Sequence, residues 1–239
     1  MIDTSQRTAA RIAGWSGILT FVIVVFGNYA LLEPLIVPGN AAATAQNISA
    51  HQTQLRVAVV CFLTYSLGII VFLSALYVIF KPVNHGLALI AAFFRFVFAW
   101  LWLLVPLNLL AALRLLSDTK YLQVFEPARV DAMARLHLGA NFDDYYLGLP
   151  FFGLAATISA WLWLKSNYIP KGLSIFGVIA SAWCVLCAFI YLIFPQFNQI
   201  VNDYIFDSPM ALFELVVSFW LVLKGLKPLG ANEAQTGRA

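Results

Sequence analysis

Charge is scarce in this chain. Only 10% of its 239 residues are Asp, Glu, Lys or Arg, while 62% are hydrophobic. A soluble domain carries roughly a quarter of its residues charged, so a soluble globular fold is excluded. The excess of base over acid is small as well, +3 in formal charge, and the basic residues stand at the ends of apolar runs rather than in a patch. No nucleic-acid interface is expected from that pattern. Cysteine is rare: Cys61, Cys184 and Cys187 all fall inside apolar runs, which leaves no disulfide framework and predicts buried, reduced thiols. The three histidines, His51, His85 and His137, fall in three different connections, with His85 on the opposite side of the membrane from the others. A three-histidine zinc site is therefore not expected, and neither is any other metal or cofactor. The chain also lacks HExxH, a Gly-x-Ser-x-Gly elbow and a phosphate-binding glycine loop.

Long apolar runs are what the chain has in abundance. Runs of about 18 apolar residues or more mark membrane-spanning helices. They predict an all-α, polytopic integral membrane protein with spans at about 12–32, 56–80, 86–116, 136–164, 172–194 and 209–224. Residues 1–228 read as a single six-helix domain and 229–239 as a polar C-terminal tail. Arg7 and Arg11 ahead of the first run resemble a secretory signal, but a cleavage-like Ala43-Thr44-Ala45 lies too far downstream, so the first span is expected to be retained. Pro127 suits a helix first turn and predicts a short amphipathic helix feeding the fourth span. Alternate connections hold Arg7, Arg11, Lys81, Lys165, Lys171, Lys224, Lys227 and Arg238. The opposite ones hold only Arg56, Arg114, Lys120, Arg129 and Arg135. That excess places both termini in the cytoplasm.

Within this frame the third run, Gly86 to Leu116, is the anomaly, because it carries Arg95. An arginine at that depth costs a few kcal/mol or more and needs a partner. Arg95 is nine residues from Gly86, or about 13–14 Å along a helix, and Glu214 is ten residues from Lys224, or about 15 Å. Equal depth and opposite charge predict an Arg95–Glu214 ion pair. It serves either as a clamp between two helices or as a ligand-binding or proton-coupling site. A second set lies toward the outer side. His137, Asn141 and Asp144 share a helix face by their i, i+4, i+7 spacing, and Asp143 points elsewhere. Asn28, Glu33 and Asn108 fall at a comparable level, so these residues together could line an outer polar vestibule. The plainer reading of Asp143 and Asp144 is a pair of carboxylates at the interface where the fourth span begins. Gly14 and Gly17 predict a close helix contact.

Several stretches are familiar together: Arg11 to Gly14 (RIAG), Ile36 to Ala45 (IVPGNAAATA), Lys81 to Asn84 (KPVN) and Phe94-Arg95. Pro150 to Leu154 (PFFGL), Ile169 to Leu173 (IPKGL), Phe213-Glu214 and Trp220 to Gly225 (WLVLKG) complete the set. The chain resembles a bacterial family of six-helix membrane proteins known as domain of unknown function 4386. The resemblance spans nearly the whole chain and implies a multi-pass protein of the bacterial inner membrane. It puts Arg95 and Glu214 at family-like positions, whereas Asp143-Asp144 looks peculiar to this member, and it supplies no activity. Three functions follow as expectations. The favoured ones are non-enzymatic: a small-molecule binding or transport protein, or an accessory protein docking another membrane subunit. The alternative is a membrane-embedded enzyme acting on a lipid or isoprenoid-like substrate through the outer carboxylates and His137. In every case the lipid bilayer is the first partner.

Overall fold

The computed structural model describes residues 2–117 and 125–227. Asp118, Lys120 and the tail 229–239 therefore lie outside the described residues, as does Arg238. Every regular element among the described residues is helical. The chain opens with α1 (Thr4–Val25), which runs on through a π-helical stretch (Phe26–Leu32) and a 3-10 turn (Glu33–Leu35). Next come α2 (Ala41–Ala50), α3 (Gln52–Phe80), α4 (His85–Trp102) and α5 (Leu104–Leu116). The rest is α6 (Pro127–Ser166), α7 (Lys171–Ile193), a 3-10 turn (Pro195–Gln199), α8 (Asp203–Phe206) and α9 (Ser208–Leu223).

Helix boundaries follow from local chemistry. The Asn40 side chain accepts a hydrogen bond from the Ala43 amide and starts α2, and Asn84 does the same for the Leu87 amide at α4. Pro127 stands at the first position of α6, where its missing N–H costs nothing. Gly225, at φ +68°, closes α9 in the left-handed conformation that suits glycine. The expected third span is one run in sequence but two helices in space. Pro106 has no N–H for the Trp102 carbonyl, and the chain tightens at Leu103, whose amide bonds Trp100 instead. The short helix expected before the fourth span is instead continuous with it, giving one 40-residue helix that keeps Pro150 inside.

Among the described residues, five helical segments are long and apolar enough to cross a membrane: Thr4–Leu35, Gln52–Phe80, His85–Leu116, Arg129–Ser166 and Lys171–Ile193. The last apolar helix, Ser208–Leu223, has 16 residues and falls short of that length. Large apolar side chains face outward at helical spacing. Val57, Val60, Leu67 and Val71 do so on α3, and Ile175, Ile179, Trp183, Leu186 and Ile193 on α7. Stripes of this length would be an aggregation hazard in water. They fit a chain whose helices sit in lipid.

The chain forms two compact units. The first takes Met1–Leu19, Gly68–Phe98 and Leu149–Ala239. Its core joins Ala13, Phe72, Phe80, Trp163, Phe213 and Val217, with Phe80 and Trp163 edge to face at 4.4 Å. A buried latch ties the N-terminal turn into it: the Gln6 amide nitrogen donates to the Ile79 carbonyl and the Tyr168 hydroxyl. The second unit takes Thr20–Leu67 and Ala99–Gly148. There Trp102 packs against Phe62, Tyr65 and Tyr145, and Ile48, Leu55, Leu109 and Leu113 are fully buried.

Candidate functional site: a buried ion pair and a polar chain

In the first unit, α4 carries Arg95 into a closed place. Its side chain is 2% exposed and that of Glu214 is 18% exposed. Nη1 donates to Oε2 of Glu214 at 3.1 Å, and Nη2 bonds Oε1 of the same carboxylate. This is the two-pronged geometry in which guanidinium and carboxylate bind most strongly. The ring centroids of Phe72 from α3 and Phe152 from α6 lie 5.1 and 5.0 Å from the guanidinium carbon. Each contributes a cation–π attraction that strengthens as water is removed. Phe98 stacks on Phe152 at 4.5 Å, which fixes that ring from behind. Removing two charges from water is recovered only where the geometry is this complete.

Small residues bring α9 close enough for the pair to form. A methyl group at Gly17 of α1 would run into the Ser218 hydroxyl, one turn along α9 from Glu214. One at Gly177 of α7 would overlap the ring of Phe213, the residue before Glu214. The Ser218 hydroxyl in turn donates to the Glu214 carbonyl at 2.7 Å. Helices α1 and α7 thus hold the backbone that presents the carboxylate. The two phenylalanines on Arg95 carry no sequence signal of their own, because this chain has 20 phenylalanines and nothing singles out Phe72 or Phe152.

In the second unit three of the outer polar residues meet. The Asn108 amide nitrogen of α5 donates to Oδ2 of Asp144 on α6 at 2.6 Å. Its oxygen lies 3.1 Å from His137 Nδ1. With the Asn108 nitrogen committed to Asp144, its oxygen must accept, so His137 carries its proton on Nδ1 and leaves Nε2 as the acceptor in the neutral ring. The α4–α5 break and the long α6 position this chain, since Asn108 lies two residues beyond Pro106. Among the described residues, no hydrogen bond joins the other expected members to this chain. Asp143 and Glu33 are exposed, and Asn28 is half-buried in the π-helical stretch, where its carbonyl accepts the Glu33 amide. The Asn141 side chain lies outside the described residues. Among the described residues, no three of His, Cys, Asp and Glu gather as metal ligands would.

Comparison with known proteins gives a consistent and equally silent picture. The family model described as "Domain of unknown function (DUF4386)" matches residues 12–225. An uncharacterized protein of the archaeon Archaeoglobus fulgidus is 27% identical over 156 residues, covering 64% of this chain and 74% of that one. No solved structure matches.

Proposed function

Because the chain belongs to the DUF4386 family, whose description assigns no activity, we propose a function from the chemistry of its own two polar sites. In this reading it is a non-enzymatic multi-pass protein of the bacterial inner (cytoplasmic) membrane. It crosses six times with both termini in the cytoplasm, as one membrane domain over residues 1–228. It acts by binding, either a small molecule or another membrane subunit, and Arg95–Glu214 is the clamp that holds its helices in place. The observation that carries the clamp is the enclosure of Arg95: its side chain is 2% exposed, both Nη atoms bond the Glu214 carboxylate, and the rings of Phe72 and Phe152 lie 5.1 and 5.0 Å away. The distribution of lysine and arginine between alternate connections supports the orientation. Helix α9, about 24 Å long at 16 residues, serves as the sixth span with local thinning of the bilayer and with Lys224 reaching to the interface.

The test is paired replacement. Arg95→Met with Glu214→Leu removes both charges and keeps the volume. A clamp predicts that this double variant folds and keeps whatever binding the wild type has, while Arg95→Met alone or Glu214→Leu alone does not fold well. A double variant that is fully folded but has lost binding or transport would make the pair a ligand or coupling site instead.

One observation favours a second reading. The Asp144–Asn108–His137 chain leaves Nε2 of His137 as a proton acceptor, the arrangement a membrane-embedded enzyme acting on a lipid or isoprenoid-like substrate would need. If His137→Gln abolished conversion of such a substrate in a folded protein, the enzymatic reading would replace the first.

A further inference from the structure

The second unit contains a cavity of about 190 Å³ whose lining includes none of Arg95, Glu214, Asn108, His137 and Asp144. One wall is the extended stretch after the first helix, Ile36 to Asn40, together with Thr44 and Ala45 of α2. The other is the face of α6 that carries Asp131, Ala134, Arg135, Leu138 and Gly139, and Leu116 lines it as well. The first wall is fixed by its own hydrogen bonds. The Val37 amide donates to the Thr44 hydroxyl at 2.9 Å, and that hydroxyl lies 3.0 Å from the Asn40 carbonyl and donates to it. The cavity is therefore shaped before anything enters it.

Two features point to an occupant. Asp131 and Arg135 stand one helical turn apart, the spacing at which opposite charges usually pair. Neither takes part in an ion pair among the described residues, with each other or with anything else. Both line the cavity, so it presents one positive and one negative group to the same small volume. The second feature is Gly139, in the interior of a 40-residue helix, where glycine lowers helix stability relative to alanine. At Gly14, Gly17, Gly153 and Gly177 a neighbouring helix fills the space a side chain would take; at Gly139 an added Cβ would meet nothing within 4 Å. Gly139 is exposed, so close packing does not account for it, and it lines the cavity.

We propose that this cavity binds a phosphoethanolamine group, with Arg135 on the phosphate and Asp131 on the ammonium. A simple anion would face the Asp131 carboxylate and a simple cation the Arg135 guanidinium; a zwitterion whose charges are a few ångströms apart satisfies both. The guanidinium fork matches phosphate oxygens. The volume is below the roughly 300–1,000 Å³ of pockets that enclose drug-sized molecules, so it suits a head group and not a whole lipid. On α6, Leu136 stands one turn before Gly139 and is 74% exposed, an apolar surface for acyl chains. The group can come from phosphatidylethanolamine or from free phosphoethanolamine. This site is independent of the clamp reading of Arg95–Glu214.

Two arms test the proposal on the full-length purified protein. In detergent, free phosphoethanolamine is titrated calorimetrically, with inorganic phosphate as the comparison. In delipidated protein returned to equimolar phosphatidylethanolamine, phosphatidylcholine and phosphatidylglycerol, the retained lipid is identified by native mass spectrometry. The expected result is at least a tenfold preference for the phosphoethanolamine group, in both arms if the free group suffices and in the lipid arm alone if the acyl chains are needed. Arg135→Gln and Asp131→Asn should each lose that preference, and Arg129→Gln, outside the cavity, should keep it. Gly139→Phe fills the cavity from a position where a side chain meets no obstruction, so it should fold and fail to bind. It decides the matter if the charge variants do not fold. Retention of phosphatidylglycerol equal to that of phosphatidylethanolamine, unchanged binding by Gly139→Phe, or no binding in either arm would overturn the proposal.

Discussion

Arg95 and Glu214 show how one buried charge dictates its surroundings. Removing either partner strands the other in a closed apolar site, which costs about 3–5 kcal/mol for a broken buried pair. Arg95→Ala and Glu214→Ala should each lower the thermal midpoint sharply in detergent, and the double apolar replacement should recover most of the loss. A midpoint unchanged in either single variant would mean that the pair is not sealed in the membrane. Asn108 makes the same argument on a smaller scale. It holds Asp144 through its nitrogen and His137 through its oxygen, so Asn108→Leu leaves two polar groups without their partner. The expected loss is about 1–3 kcal/mol per stranded group, read by denaturation of the purified protein. The pairing of Arg95 with Glu214 could be inferred from depth along two apolar runs. For His137 and Asn108 only a comparable level could be inferred, because spacing along separate runs does not say which side chains touch.

At the scale of elements, small residues set the close approach of α9 that accompanies the Arg95–Glu214 pair. Gly17 and Gly177 admit Ser218 and Phe213 of α9 from two sides. Gly177→Leu puts a branched side chain where the Phe213 ring lies and should destabilise by about 1–3 kcal/mol through overpacking. It should also loosen the pair that the next residue forms. A stability measurement of Gly177→Leu in the Arg95→Met, Glu214→Leu background checks the link. If α9 is coupled to the pair as described, the two perturbations are not additive. Helix positions were legible in sequence because hydrophobic length is a one-dimensional property. The α4–α5 break and the fusion of the amphipathic turn into α6 were not. Pro106 breaks its helix while Pro150 sits inside one, and the same residue type gives opposite outcomes according to what packs around it.

For the whole molecule, the outward-facing apolar stripes suit a membrane, and the proposed orientation has a direct test. If both termini are cytoplasmic, a cysteine placed at Asn84 or Asn167 should react with a membrane-impermeant maleimide only from the cytoplasmic side, and one at Ile200 only from the opposite side. Labelling of Ile200→Cys from the cytoplasmic side would mean that α7 and α9 do not both cross. The 16 residues of α9 make that position the sensitive one.

The sequence by itself determined that the chain is helical, that it carries helices of membrane-crossing length, which family it belongs to, and which two charges lie at matched depth. Each of these depends on hydrophobic length, helical rise or local motif, properties carried along the chain. The tertiary structure decided which faces meet. It placed Phe72 and Phe152 on Arg95, selected Asn108 to join Asp144 and His137 while leaving Glu33 and Asp143 exposed, and opened a cavity lined by Asp131 and Arg135. Such choices depend on rotation about helix axes, on the break at Leu103 and on the π-helical stretch Phe26–Leu32. In an apolar chain nearly every face is hydrophobic, so periodicity cannot set that rotation, and packing around a few glycines does.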